Sequence, residues 1–234
     1  MFTHSDPHRF RKTVAGIGMV AAPLLFLASA IVSPRLESEE GAQIAVVAGD
    51  MDRWFASSML GLLSLLALLP AVLGLMHMLR ERESGLGHLG GGLALVGTML
   101  TMGATAISFV VWQMGAVGAD QAEMADLYAR LHDTGGVAVP FFYGGFALAA
   151  GLVALCAGLV RANAVHPAMA LSLAAGACVF AIGAATFSTG MVIVAAVLTA
   201  VGLVPVGRQV LTESTEDWEH TPEVGGGFRP LAGH

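Results

Sequence analysis

Charge is what this sequence lacks most. Only 12% of its 234 residues are Asp, Glu, Lys or Arg, about half the share of an ordinary soluble domain. From Ala162 to Gly207, 46 residues pass without a formal charge. Too little polar surface remains to solvate a globule, which excludes a water-soluble fold as the first reading. Cysteine is nearly absent too. Cys156 and Cys178 both fall inside apolar runs, at depths too different for a disulfide, so they read as packing residues with free thiols. Neither a Ser-centred nucleophile elbow, a paired metal motif nor a phosphate-cradling glycine loop occurs. The net charge of -6 offers no basis for nucleic acid as a partner.

What is present is apolar residues, 56% of the chain, in runs close to the ~20 residues that a helix needs to cross a ~30 Å hydrocarbon core. The pattern predicts an all-α integral membrane protein with about six transmembrane helices. The expected division is a cytoplasmic N-terminal tail over 1–13, a six-helix transmembrane domain over 14–207 and a disordered acidic cytoplasmic tail over 208–234.

The first span, Val14 to Val32, follows the basic cluster Arg9, Arg11 and Lys12. Ala28-Ser29-Ala30 resembles a signal-peptide cleavage site, yet the apolar run continues to Val32 and stops at Pro34, which favours a retained helix over a cleaved one. The second span runs from about Phe55 to Leu79, the third from Leu89 to about Val117 and the fourth from about Val137 to Val160. The uncharged stretch after Ala162 would make a helix of about 69 Å, over twice the hydrocarbon thickness, so it must turn back. Ser188-Thr189-Gly190 is the best turn, dividing a fifth span from Pro167 to Phe187 from a sixth over Met191 to Val206.

With the spans placed, Arg9, Arg11, Lys12, Arg80, Arg82, Arg161, Arg208 and Arg229 fall on one side and Arg35, Arg53 and Arg130 on the other. The side with the excess is expected to be cytoplasmic, and both termini with it. Two loops on the opposite side have their own pattern. Asp120 and Glu123 stand at capping-box spacing before Met124, Leu127, Tyr128 and Leu131, which predicts a short amphipathic helix on the outer surface. The loop Ser33–Trp54, with Glu37, Glu39 and Glu40 before Ile44, Val46 and Val47, is expected to be partly helical.

None of the six apolar cores contains Asp, Glu, Lys or Arg. Ion-coupled carriers and proton pumps need such groups at membrane depth, so the class is disfavoured. In the third span Gly97, Thr101, Thr105 and Ser108 recur at spacings of four, four and three. These small polar groups share one helix face, with Gln113 further on. The stripe is either a pocket lining or a helix contact, as are the small-residue series Ala150, Ala154 and Gly158 and Ala177, Ala181 and Ala185. On the outer side, Asp52, Arg130, His132 and Asp133 are the candidates for an interfacial acid/base group, against the plainer reading of a solvated rim. His77, His88 and His166 gather at the inner ends of three spans. They are candidate metal ligands, though their spacing matches no metal motif and unrelated interfacial histidines would look the same.

The order of features, with Asp52-Arg53-Trp54 leading into a second span that ends Leu79-Arg80 and a Gly-rich fourth span from Gly144-Gly145 to Gly158 followed by His166-Pro167, resembles the bacterial membrane family called domain of unknown function 4386. The resemblance covers about residues 10–207. It implies a multi-pass protein of a bacterial inner (plasma) membrane and brings no catalytic residue with it.

The leading functional expectation is a bundle without catalytic machinery that binds a lipid or apolar small molecule, or that serves as a partner subunit. Its associates are then the lipid bilayer and a membrane protein or second copy of the chain, with no cofactor. The competing expectations are a membrane enzyme using the His/Asp group or a histidine-bound metal, and an uncoupled transporter or facilitator.

Overall fold

The computed structural model describes residues 7–116, 118–133 and 143–219. Among the described residues are nine helices and no strand: α1 Pro7–Val32, α2 Glu40–Gly49, α3 Met51–Leu79, α4 Ser84–Met114, α5 Gln121–Asp133, α6 Gly144–Arg161, α7 Pro167–Ala185, α8 Thr189–Thr212 and α9 Thr215–Glu219. Six of them, α1, α3, α4, α6, α7 and α8, are long and apolar enough to cross a membrane. Their outward faces carry bare apolar side chains, among them Ile17, Leu24, Leu66, Val96, Phe146 and Val201. A surface of this kind is stable only where lipid replaces water.

The six long helices close into a ring in chain order. Helix α1 packs on α3, α3 on α4, α4 on α6, α6 on α7, α7 on α8, and α8 returns to α1. Neighbouring spans run antiparallel, as where Gly18 meets Ala67 and Gly74 meets Ala15, or Gly90 meets Leu155 and Gly144 meets Leu100. Between α7 and α8 the chain reverses at Thr186–Ser188, with Phe187 in a left-handed conformation (φ 51) and the Ser188 hydroxyl accepting from the Met191 amide to cap α8. An even number of antiparallel spans brings the two ends of the described chain together. His8 pairs with Glu219, and the Lys12 ammonium donates to the Glu213 carbonyl oxygen.

Glycine sets the tightest seam. At Gly97 an added Cβ would overlap the Leu148 backbone, and at Gly151 the Ala94 backbone, so α4 and α6 touch main chain to main chain. The seam on α6 follows Gly144, Gly151 and Gly158; of the expected series Ala150, Ala154 and Gly158, the last two lie in it, Ala154 against Gly90, while Ala150 faces outward. Ala177 and Ala181 of the other series are buried, while Ala185 is exposed.

At the end opposite the termini, α2 and α5 form a cap. The Glu39 carboxylate accepts from the Gly41 and Ala42 amides, and Asp120 Oδ1 from Ala122 at 2.9 Å and Glu123 at 3.3 Å. Ile44 and Val47 of α2 are fully buried with Trp54, Val111 and Met114, and Met124, Ala125, Tyr128 and Leu131 pack against this cluster. The amphipathic stripe of α5 therefore rests on α2 and the bundle end. Burial, with Glu40 adding to it, pushes the Tyr128 phenol up to about 12.

Several boundaries differ from the sequence-based expectation, and the first helix begins at Pro7 rather than Val14, within the expected N-terminal tail. The third span begins at Ser84 rather than Leu89. The last span continues to Thr212, and Thr215–Glu219 forms a further helical turn with Trp218 only 7% exposed. An acidic tail disordered from residue 208 is thus corrected up to Glu219, because Trp218 finds an apolar seat that composition alone does not reveal. Residues 220–234, Pro140 and the expected start of the fourth span lie outside the described residues.

Candidate functional site

Six helices on a circle leave space along their common axis. At the end near the termini that space is filled, because Leu75, Leu79, Leu155 and Leu159 are at most 1% exposed. Leu79 reaches across the ring to Gly158, where an added Cβ would lie 3.0 Å from its Cδ1. Toward the cap smaller residues, among them Ser57, Ser58, Gly61, Ala149 and Ala177, enter the axial lining. A cavity of about 280 Å³ remains there, just under the ~300–1,000 Å³ of ordinary small-molecule sites.

Its walls differ in chemistry. Helices α1, α3 and α4, with the chain just after α1, contribute Ser29, Ser33, Ser57, Ser58, Ser64, Thr101, Thr105 and Ser108. The α6 and α7 side is apolar: Leu148, Ala149, Leu152, Leu173, Ala177 and Phe180. Phe26 closes against Phe180 edge to face, with ring centroids 5.4 Å apart, a favourable aromatic geometry. Among the described residues no lining residue is ionisable.

Most hydroxyl protons on the polar wall are committed to backbone. Ser29 donates to the Ser57 carbonyl oxygen at 2.8 Å and Ser64 to that of Ala22 at 2.8 Å, tying α1 to α3. Thr101, Thr105 and Ser57 donate to Gly97, Thr101 and Trp54 carbonyl oxygens within their own helices. Each such hydroxyl keeps an unshared lone pair, and so meets the cavity as an acceptor. Ser58 and Ser108 differ, since among the described residues neither hydroxyl has a hydrogen-bond partner. Ser58 is only 8% exposed as a residue, yet its Oγ keeps accessible surface, so its uncommitted hydroxyl opens toward the cavity that it lines.

Of the residues singled out from sequence, Thr101, Thr105 and Ser108 line this cavity, while Gln113 is exposed near the end of α4 and does not. The serines of α1 and α3 were missed. The available signal was Ser57, Ser58 and Ser64 in an otherwise apolar run, one helix face read alongside the threonine stripe of the third span.

The outer group does not converge among the described residues. Asp52 is exposed in the first turn of α3, and Arg130 pairs with Asp126 one turn back along α5 at 3.1 Å. The backbone of His132 and Asp133 ends α5, and their side chains lie outside the described residues. The three inner histidines are also dispersed. His77 and His88 border one cleft of about 240 Å³ with Arg80 and Ser84, whereas His166 caps α7 by accepting from the Ala168 amide. His77 stacks on Trp218 with centroids 4.6 Å apart, and its Nε2 lies 3.0 Å from the Trp218 carbonyl oxygen. His88 Nδ1 lies 2.7 Å from the Ser84 carbonyl oxygen. Among the described residues no group of three or more His, Cys, Asp or Glu is placed to hold a metal ion, so the expected three-histidine cluster is corrected: His77 and His88 share one cleft, and His166 is not part of it.

The fold and cavity define the class: among the described residues, an all-helical protein with six candidate membrane spans around a partly open cavity with no ionisable lining residue. Comparison with protein-family models, with curated proteins and with solved structures gives no match.

Proposed function

We propose that this chain is a multi-pass membrane protein that holds a small, neutral, largely apolar molecule in the cavity at the centre of its ring. The observation that carries this reading is the cavity itself, about 280 Å³ with one apolar wall, one hydroxyl wall and no ionisable residue among the described lining. A charged ligand would lose its hydration there without gaining a counter-ion, at a cost of several kcal/mol. An apolar one gains about 25 cal/mol for each Å² it removes from water. Catalysis has no comparable support, because the three inner histidines do not form one cluster and no described contact joins Asp52 to Arg130.

The same proposal places the protein in a plasma membrane with its basic end in the cytoplasm. Arg9, Arg11, Lys12, Arg80, Arg82, Arg161 and Arg208 lie at the end bearing the termini, against Arg35, Arg53 and Arg130 at the cap, which is the asymmetry of a cytoplasmic face. A bacterial origin and kinship with domain of unknown function 4386 belong to the proposal too, resting on the residues of that resemblance.

Solvent extraction and mass spectrometry of the detergent-purified chain test the reading. An apolar compound is expected at near one per chain, and Ala149→Phe, which fills the cavity from the α6 wall, is expected to remove it. Equal recovery from both proteins, or none from either, overturns the proposal.

A further inference from the structure

The distribution of hydrogen-bonding groups around the cavity narrows the ligand further, on the footing of the binding role proposed above. Neutral polar molecules differ in whether they offer protons or accept them. A quinone or ester carbonyl only accepts, a carboxylate accepts and carries charge, and an alcohol does both. The polar wall is built mostly of acceptors, since Ser29, Ser57, Ser64, Thr101 and Thr105 have each given their proton to a carbonyl oxygen. Two hydroxyls, Ser58 and Ser108, still have protons to give. The Trp54 indole, which might otherwise greet a carbonyl or an anion, spends its N–H on the Ser108 carbonyl oxygen at 2.9 Å.

A group that gives one proton and takes one satisfies both sets at once: its O–H meets a lone pair on the wall, and its oxygen accepts from Ser58. We infer that the cavity binds a neutral alcohol, an apolar body bearing a hydroxyl group, with that hydroxyl against Ser58 on α3 and the hydrocarbon against the Leu148, Leu152 and Leu173 side. Ser58 is the strongest pointer, a residue more than nine-tenths buried whose hydroxyl has no hydrogen bond among the described residues and keeps its accessible surface where it borders the cavity. The facing wall asks for hydrocarbon because it offers neither donor nor acceptor. An anionic head is disfavoured, because no described lining residue is cationic.

Native mass spectrometry of the full chain released from detergent tests this with three probes of equal chain length, 1-decanol, decanoate at about pH 8 and decane, where the carboxylate is ionised. The expected result is a single adduct with 1-decanol at least about 10-fold tighter than with decanoate. Ser58→Ala, which removes one oxygen and leaves the packing, is expected to weaken 1-decanol by about 2- to 10-fold while leaving decane unchanged. Ser108→Ala supplies the same comparison if the first variant does not fold. If all three probes bind alike, are all expelled by Ala149→Phe, and neither serine variant alters 1-decanol, the hydroxyl inference falls while the cavity remains a binding site. If Ala149→Phe leaves every adduct unchanged, the binding role itself falls, and the inference with it.

Discussion

The indole Nε1–H of Trp54 donates to the Ser108 carbonyl oxygen at 2.9 Å, joining α3 to α4 at the point where the cavity ends and the cap begins. Trp54 belongs both to the cavity lining and to the buried cluster beneath α2 and α5. The cap therefore cannot shift without moving one wall of the cavity. Trp54→Phe keeps an aromatic ring but leaves that carbonyl oxygen without its cross-helix donor. The expected outcome is a loss of about 0.5–1.5 kcal/mol, read as an earlier melt in detergent, together with faster amide exchange in α2.

Close contact between α4 and α6 makes a paired glycine prediction. At Gly151 an added Cβ meets the Ala94 main chain, whereas at Gly92 nothing lies within 4 Å. Gly151→Val is expected to cost about 1–3 kcal/mol or more, since backbone cannot yield as a flexible side chain does. Gly92→Ala is expected to be neutral or to stabilise by about 0.5–1 kcal/mol, because alanine loses less backbone entropy in a helix. Unfolding of both proteins in graded sodium dodecyl sulfate checks the pair, and equal midpoints would contradict the seam.

At the other end of the bundle, the His77–Trp218 stack holds α9. Trp218→Ala removes the buried ring and is expected to release Thr215–Glu219, with about 3 kcal/mol or more of local stability lost. Cleavage by a Glu-specific protease at Glu216 and Glu219 should accelerate by an order of magnitude or more. Unchanged cleavage would mean that α9 is held by the Lys12 and His8 contacts instead.

Tyr128 predicts an alkaline transition in the cap. Its folded phenol, raised by burial to about 12, binds its proton more tightly than an unfolded one near 10. The stabilisation is fully present below pH ~10 and is lost as pH rises through ~12. In a Tyr143→Phe protein only Tyr128 remains of the two tyrosines, so ultraviolet absorbance reports it alone. Ionisation should be seen only well above pH 10, and Tyr128→Phe should flatten the loss of stability over that window.

Topology is checked with a reporter joined after Glu219 and another inserted at Gly118, between α4 and α5. The first is expected to be active in the cytoplasm and the second on the far side. Exchange of the two signals would reverse the proposed orientation and put the cap on the cytoplasmic side.

Much of the fold was legible before any coordinates. Six apolar runs, the reversal near Ser188 and the stripe on α5 follow from local patterns, because hydrocarbon demands long uncharged helices and a surface helix demands one apolar face. Thr101, Thr105 and Ser108 were legible as one face for the same reason. Ser29, Ser57, Ser58 and Ser64 were not paired with them, because α1 meets α3 across an intervening loop and helix, at contacts no local spacing encodes.

Sequence alone determined the length and oiliness of the spans, their number, and the absence of any full charge within them, since these depend only on what each segment can place in lipid. Tertiary structure decided which faces turn inward. Only ring closure of α1 on α8 creates a central axis, only the glycine contacts choose the α4–α6 seam over the neighbouring Ala150, and only the buried seat beside His77 gives Trp218 a partner. Inside lipid, hydropathy no longer distinguishes a face that packs from one that does not. The choice passes to shape and hydrogen bonding between segments far apart in the chain.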